Sequence, residues 1–419
     1  MAEPLYRSRP GGFDLQPASM PEAQQINDFI HASHGLSNTY LVSSAEGRVV
    51  INTGMGFEAP VHKRNFDAVD PSPTRYILLT QGHVDHVGGV DLFREEGTEV
   101  VAHAGNQGYQ REDNLLRAAR GRRSMFAFAR AIESQARHDT GGGPVPTQSL
   151  PVPTITFTER YEFALGGLRF ELIHTPGGET TESMVVWLPE HAILFAGNVF
   201  GALWGHIPNL VTIRGDRYRD ALTVVDTIDR VLALEPELVL YGHHAPIAGK
   251  ALIREELLRL RGAVQYVHDR TVEHMNAGGD VWTAMREIRL PPELEVGEGY
   301  GKVSWDVRAI WENYLGWFHQ RSTTELYATP AASVHADLVE LAGGPDALAA
   351  RAREKLAAGA PVEALHLVEI ALTAAPGHTA SLDVAIAAHR RLDGESGNFW
   401  LKSWLRHQRE RLERQREGG

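Results

Sequence analysis

Residues 1 to about 250 alternate short apolar runs with turns and helical stretches. Runs rich in valine, isoleucine, leucine and aromatic residues stop at Gly, Pro, Asn, His or Asp, and this pattern predicts β-strands. They are NTYLVSS, GRVVINTG, RYILLTQG, TEVVAH, LRFELIHTPG, SMVVWLPE, AILFAGN and PELVLYGHH. Several are continuously apolar, which indicates strands buried on both faces by helices. The pattern therefore predicts an α/β fold for this part of the chain.

Helical periodicity dominates two other parts of the sequence. Residues from about 104 to 135 predict a helical segment inserted between strands, and the chain from about residue 251 onward is helical almost to its end. The alanine-rich part of this region has the pattern of paired, loosely repeated helices. We predict an α/β domain over residues 1–260 and an α-helical domain over residues 261–419.

Composition restricts the classes of partner and of metal ligand. The 419 residues include 41 Lys and Arg against 53 Asp and Glu, so a net charge of −12 disfavours nucleic acid and anionic membranes as partners. The sequence has no cysteine, and any metal must be held by nitrogen and oxygen atoms. No apolar run has the length of a signal peptide core or of a membrane span. These features predict a cytoplasmic protein.

Chemically capable side chains follow directly after the apolar strand YILLT. The loop contains Gln81, His83, Asp85 and His86. In a tight turn, this spacing can aim imidazole and carboxylate groups at one or two metal ions about 3.5 Å apart. The alternative interpretation is a helix-capping Asp85 between exposed histidines.

Three later strand ends carry further polar groups. Glu179 follows the turn TPG, Asn198 ends the strand LFAG, and His243 and His244 follow the strand LVLYG. Ligand sites of α/β folds gather at such strand ends. Alone, Glu179 fits a solvated loop acid, but combined with the first loop it is a candidate metal ligand. His243 is a second candidate ligand, and His244 is a candidate catalytic or substrate-contacting group.

The loop QGHVDH resembles the metal-binding loop H-x-H-x-D-H of the metallo-β-lactamase superfamily. Over most of its length the chain resembles the type III alkylsulfatases, which are zinc-dependent hydrolases of alkyl sulfate esters. The resemblance rests on TPGGE, NLVTIRG, RRSMF, HHAP, GYGKVSWDVRAIWENYLGWF and ESGNFW. It implies a metallo-β-lactamase αββα sandwich followed by an all-α dimerisation domain, and hence a homodimer.

The resemblance also implies where metal and substrate bind. The candidate metal ligands form two sets, which we name the Asp85 group (Asp85, His86 and His243) and the His83 group (Gln81, His83 and Glu179). Three protein ligands with an open fourth position, as in the Asp85 group, are typical of catalytic zinc. Asp85 would also orient the attacking water, and Asn209 and Arg214 would contact the sulfate.

Three positions depart from the alkylsulfatase pattern. Gln81 replaces the first histidine, Asn198 replaces a bridging glutamate, and Trp305 replaces a histidine available for proton transfer. Trp305 is a candidate wall of the substrate pocket, and His244 is one candidate for proton transfer in place of the missing histidine. We expect the protein to lack the family's carboxy-terminal sterol-carrier-like domain. We expect one or two Zn²⁺ ions per chain, with the His83 group the weaker site.

These features leave three hypotheses about function. The first is a zinc hydrolase of a sulfate ester or a similar small anionic organic ester. The second is a hydrolase of another bond on the same scaffold, such as a lactone, β-lactam or phosphoester. The third is a catalytically inactive dimeric binding protein that retains the fold.

Overall fold

Two β-sheets pack face to face in the structure, a computed structural model that describes residues 3–135 and 147–418. The described part of the first sheet contains, in order, β1 Gln24–Gln25, β2 Ile30–Ser33, β3 Thr39–Ser44, β4 Gly47–Ile51, β5 Thr74–Leu79, β6 Glu99–His103 and β7 Ile155–Phe157. The second has the order β13-β12-β11-β10-β9-β8, from β8 Arg160–Leu165, β9 Leu168–His174, β10 Met184–Leu188, β11 Ile193–Gly197, β12 Leu238–Tyr241 and β13 Ile247–Ala248. One apolar cluster contains residues of both sheets, including Val49 and Val186.

Helices cover the outer faces of both sheets. The helices of this part of the chain are α1 Ala59–Val69, α2 Val84–Val87, α3 Val90–Phe93, α4 Asn106–Gln135, α5 Ala221–Leu234, α6 Lys250–Asn276, α7 Val281–Glu287 and α8 Val303–Leu315. Phe66 of α1 and Phe93 of α3 share a buried cluster with Ile77 of β5. Ile228 of α5 and Leu257 of α6 share another with residues of the second sheet. This order of layers confirms the predicted αββα sandwich.

The apolar runs of the sequence form the central strands, but the apolar pattern did not predict the strands at the sheet edges. All of the predicted strands are present, as β3, β4, β5, β6, β9, β10, β11 and β12. The missed strands are β1, β2, β7, β8 and β13, and four of these lie at a sheet edge. In β8 the residues alternate between more and less exposed positions. Edge strands are short and partly solvated, so they lack a continuous apolar run.

The strands that carry the candidate ligands end at one edge of the sandwich. β11 and β12 are parallel, so Asn198 and His243 follow strands that end side by side. β9 and β11 are each antiparallel to β10, so β9 runs in the same direction and leads to Glu179. The end of β5 joins this edge through a hydrogen bond from the backbone N of Met184 to the backbone O of Thr80, at 2.8 Å.

The chain divides by packing into two compact units, between Tyr314 and Leu315. The second unit is all-helical, with α9 His335–Leu341, α10 Pro345–Ala357, α11 Pro361–Ala374, α12 Thr379–Glu395 and α13 Phe399–Gly418. Its buried cluster includes Ala364, Val368 and Leu382. The division into an α/β domain of residues 1–260 and a helical domain of residues 261–419 stays a prediction. Across the described residues, no helix combines the length and apolarity that a membrane crossing needs.

Asn52 directly follows β4 and holds the end of the neighbouring strand β5 in place. Its φ is 59° and its side chain is buried. The amide Oδ1 accepts a hydrogen bond from the backbone N of Thr80 at 3.0 Å, and Nδ2 donates to the Thr80 Oγ1 at 3.0 Å. Since Thr80 directly precedes Gln81, Asn52 sets the start of the ligand loop.

We expect Asn52→Val to lower the free energy of unfolding by about 3 kcal/mol, because the buried Thr80 amide loses its acceptor and a β-branched residue is strained at positive φ. The shift of the urea midpoint, converted with the m-value, measures this loss. Glu235→Val is the matched control, since Glu235 also has positive φ, 54°, but is exposed. The control should lose only the strain energy, about 1–2 kcal/mol. Equal losses in both variants would contradict the role of the Asn52 side chain.

Candidate metal centre

The Asp85 group comes together from two loops. Asp85 and His86 lie on the short helix α2 after β5, and His243 follows β12. One ligand atom of each residue lies within 4.8 Å of the other two. Within residues 3–135 and 147–418, this is the one group of three His, Asp or Glu side chains with such geometry. His86 and His243 are 0% and 4% exposed, so solvent competes little for their ring nitrogens.

The protonation states of the Asp85 group suit a divalent cation. Burial lowers the pKa of His86 to about 4, and burial also lowers the pKa of His243. Burial acts to raise the pKa of Asp85. The neighbouring His86 and His243 and other nearby groups act to lower it, and their combined effect is larger than that of burial, so the net shift is downward. At neutral pH the group has two neutral imidazoles and one carboxylate, which are the forms that bind metal.

Asn198 lies between the two histidines of the Asp85 group. Its Nδ2 is 3.1 Å from the Nε2 of His86 and 3.1 Å from the Nε2 of His243. Its Oδ1 is buried and has no hydrogen-bond partner among the described residues. The Oγ of Ser37 is 3.2 Å from the other ring nitrogen of His86, Nδ1. The amide nitrogen of Asn198 thus faces the two imidazoles, and its oxygen is a buried polar atom that the described chain leaves unsatisfied, as at a site that holds a further group.

The three members of the His83 group also meet. The Nδ1 of His83 is 2.8 Å from the Nε2 of Gln81 and 3.0 Å from the Oε1 of Glu179. The Oε1 of Gln81 is buried without a hydrogen-bond partner in the described chain. The structure therefore brings together all three residues that the sequence assigned to this group.

The electrostatics of the His83 group differ from those of the Asp85 group. Burial and Arg214 act to lower the pKa of His83, but Glu179 and Asp216 raise it, and the result is about 9. Burial acts to raise the pKa of Glu179, but Arg219 and His83 lower it to about 2. At neutral pH without metal, Glu179 is therefore ionised and paired with His83, and a cation must compete with that contact to bind.

Three residues that sequence reasoning missed surround the His83 group. The Nη1 of Arg219 is 3.3 Å from the Oε2 of Glu179, and the Oδ2 of Asp216 is 3.8 Å from the Nε2 of His83. Asp216 also accepts a hydrogen bond from the hydroxyl of Tyr109 at 3.1 Å. The segment RGDRYRD reads as a charged surface loop, but the side chains of Asp216 and Arg219 are 7% and 6% exposed. No spacing rule identifies such burial from residue types alone.

Of the predicted substrate contacts, the structure places Arg214 beside the ligands. Its Nη2 is 2.7 Å from the Nε2 of His83. Asn209 is buried, neither polar atom of its side chain has a hydrogen-bond partner in the described chain, and its backbone O accepts from Arg219 at 2.8 Å. Trp305 lies in the first turn of α8 and is partly exposed. The next residue, Asp306, accepts a hydrogen bond from the backbone N of Leu210 at 3.1 Å, which ties α8 to the Asn209 loop.

His244 directly follows His243 and lies near Arg9 and Asp14 of the amino-terminal segment. Its φ is 62°, and its backbone O accepts a hydrogen bond from the Nδ2 of Asn38 at 2.7 Å. Burial lowers its pKa to about 4, and the nearby ionisable groups are His243, Arg9 and Asp14. The catalytic role of His244 stays a prediction.

Comparison with known families agrees with the fold. A family model described as the metallo-beta-lactamase superfamily matches residues 33–243, just over half of the chain. The chain belongs to the metallo-β-lactamase superfamily. A second family model, described as alkyl sulfatase dimerisation, matches residues 283–415.

The resemblance to alkylsulfatases is also confirmed by individual relatives. The chain is 27% identical, over 90% of its length and 74% of the relative, to a linear primary-alkylsulfatase of a Pseudomonas species. It is 26% identical, over 78% of its length and 54% of the relative, to the alkyl/aryl-sulfatase BDS1 of Saccharomyces cerevisiae. The structure of the stereoselective inverting sec-alkylsulfatase Pisa1 from Pseudomonas sp. matches with a TM-score of 0.79 and 21% identity, over 92% of this chain and 64% of that one. The chain thus spans about half to three quarters of these relatives.

We expect His243→Ala to reduce bound zinc by at least about tenfold, because a site with two remaining protein ligands holds zinc weakly. Zinc per chain after dialysis against a weak chelator, measured by elemental mass spectrometry, tests this. His244→Ala is the matched control, and its zinc content should equal that of the unmodified protein. A loss of zinc in the His244 variant alone would overturn the assignment of His243 as the ligand.

Proposed function

We propose that this protein is a Zn²⁺-dependent hydrolase of sulfate esters of small organic alcohols. The observation that carries the proposal is the juxtaposition of two features in one buried site. The Asp85 group offers the donor set of a catalytic cation, and the Arg214 guanidinium lies within electrostatic reach of Asp85 and 2.7 Å from His83. A cation-binding set beside a fixed guanidinium suits an anionic ester, and the relatives named above are alkylsulfatases.

The residues of the site divide the chemistry among them. A divalent cation held by the Asp85 group would supply Lewis-acid activation of water at neutral pH. Asp85 is ionised, and its free carboxylate oxygen can accept a hydrogen bond from the attacking water and orient it. The buried surroundings of His86 and His243 exclude competing solvent, which strengthens the electrostatic interactions within the site.

Arg214 and Asn209 are the proposed sulfate contacts. A guanidinium presents planar, paired N–H donors that match two oxygens of a tetrahedral anion, and it stays protonated throughout. The buried amide of Asn209, whose polar atoms have no partner in the described chain, adds a neutral donor. Arg219 neutralises Glu179, so that the carboxylate does not repel the incoming sulfate.

The site has few candidate general acids that could protonate the leaving alcohol. Trp305 stands where the alkylsulfatase pattern has a histidine, and His244 lies on the side of Arg9 and Asp14. An acidic alcohol, such as a phenol, leaves without a general acid. We therefore expect aryl sulfates to be cleaved faster than alkyl sulfates, with Trp305 as a wall of the organic pocket.

We expect Arg214→Ala to lower kcat/KM for sulfate release by about 10²- to 10³-fold, because a charged donor to the transferred group is lost. Arg217→Ala is the matched control three residues away, since Arg217 is exposed and pairs with Glu112; its kcat/KM should stay within about twofold of the unmodified protein. Sulfate release from an aryl and a medium-chain alkyl sulfate measures both. Equal activity of the two variants would contradict the sulfate-binding role of Arg214.

The same assay separates the alternative functions. If a lactone, a chromogenic β-lactam or a phosphodiester is cleaved at higher kcat/KM than any sulfate ester, the protein is a hydrolase of that bond and not a sulfatase. A chain that binds zinc but cleaves none of these substrates would support the inactive binding protein.

We also propose that the chain forms a homodimer through its helical region, as the alkyl sulfatase dimerisation match over residues 283–415 suggests. The second unit exposes apolar side chains such as Leu341, which is 84% exposed in the single chain. Sedimentation at micromolar concentration should give the mass of two chains; one chain would overturn this. The cytoplasmic location expected from the sequence stays a prediction.

A further inference from the structure

We propose that the chain holds a single divalent cation tightly, at the Asp85 group, and that protein charges complete the His83 group in place of a second cation. The inference rests on the proposed function only in taking the Asp85 group as metal-binding. Three features of the described residues carry it: two amide side chains, two guanidinium groups, and the contacts of the His83 ring.

The amides of Gln81 and Asn198 weaken the donor set for a second cation. A carboxylate has two charged oxygens and can bridge two ions, whereas an amide has one neutral oxygen, and its nitrogen does not coordinate metal. Asn198, which replaces the bridging glutamate of the alkylsulfatase pattern, lies 3.1 Å from the Nε2 atoms of both His86 and His243. With an amide at this position, the two ligand groups share no anionic ligand.

The charge of the remaining carboxylate is already balanced by protein. Glu179 is the one anionic member of the His83 group, and its Oε2 lies 3.3 Å from the Nη1 of buried Arg219. A cation bound to the Oε1 of Glu179 would therefore share this carboxylate with a guanidinium. Like charges a few ångströms apart in a buried site repel strongly.

The ring of His83 has protein contacts on both of its nitrogens. Nδ1 faces Gln81 and Glu179, and Nε2 lies 2.7 Å from the Nη2 of Arg214. A metal-binding histidine normally donates its second N–H to a carboxylate or carbonyl, which increases its basicity. Here a guanidinium is closer than the Asp216 carboxylate, at 3.8 Å, so the surroundings of His83 disfavour bound metal.

The Asp85 group differs in its ligands, which are a carboxylate and two imidazoles, and none of them pairs with a guanidinium in the described chain. Its carboxylate is paired with a histidine of its own group, with 3.6 Å between the Oδ2 of Asp85 and the Nε2 of His86. The second nitrogen of His86 faces the hydroxyl of Ser37, which is neutral. A cation placed here meets one carboxylate and two neutral imidazoles, a complete three-ligand set for zinc.

A pair of histidine variants tests the inference without any assay of catalysis. Zinc per chain would be measured by elemental mass spectrometry after dialysis of the full chain against a weak chelator. We expect about one equivalent in the unmodified protein, about one in His83→Ala, and at least about tenfold less in His86→Ala. Two equivalents in the unmodified protein, or loss of the single equivalent from His83→Ala, would overturn the inference.

A gain-of-site variant tests the cause. In the double variant Gln81→His with Asn198→Asp, an imidazole and a bridging carboxylate are restored with little change in volume, and we expect about two equivalents of zinc. Titration of the metal-free proteins with Co²⁺, followed by the visible absorption of the bound ion, should saturate at one equivalent for the unmodified chain and two for the double variant. Saturation of the folded double variant at one equivalent would show that the amides are not the cause.

These measurements fail independently of the proposed function. One equivalent of zinc without sulfate release would leave the inference intact and remove the sulfatase proposal. Two equivalents of zinc with sulfate release would overturn the inference and leave the sulfatase proposal intact.

Discussion

The convergence of Asp85, His86 and His243 depends on strand direction. β11 and β12 are parallel, β9 runs with them, and the end of β5 is joined to β10 by the hydrogen bond from Met184 to Thr80. Loops that are far apart in the sequence therefore meet at one edge of two packed sheets. The energy that holds them there comes from the apolar cluster between the sheets and not from the polar groups themselves. Without this common edge, the imidazoles and the carboxylate would lie far apart.

The same buried edge contains two halves with opposite electrostatic character. The Asp85 group combines one carboxylate with neutral imidazoles, and its pKa shifts keep those forms at neutral pH. The His83 group is enclosed by Arg214, Arg219 and Asp216, which form a network of protein charges around one histidine. A site of this kind can bind a cation on one side and an anionic ester on the other, because the positive charges that the anion needs are already present in the protein.

Much of this arrangement could be predicted from the sequence. The apolar runs predicted the central strands because buried strands need continuous apolar residues, and the loop from Gln81 to His86 was identified because its residue types bind metal. The edge strand β8 was missed because its exposed positions break the apolar pattern. Asp216 and Arg219 were missed because charged residues in a loop are usually solvated, and their burial arises from long-range packing. His244 stays a candidate for proton transfer, but the positive φ of its backbone and the hydrogen bond from Asn38 to its carbonyl could not be predicted from its position next to His243.

A crystal structure of the zinc-loaded protein, with anomalous data collected at the zinc absorption edge, tests the metal centre most directly. We expect a strong anomalous peak about 2.0–2.2 Å from a carboxylate oxygen of Asp85 and from one nitrogen each of His86 and His243. A zinc-replete crystal in which these three side chains point apart, with no peak between them, would contradict this expectation.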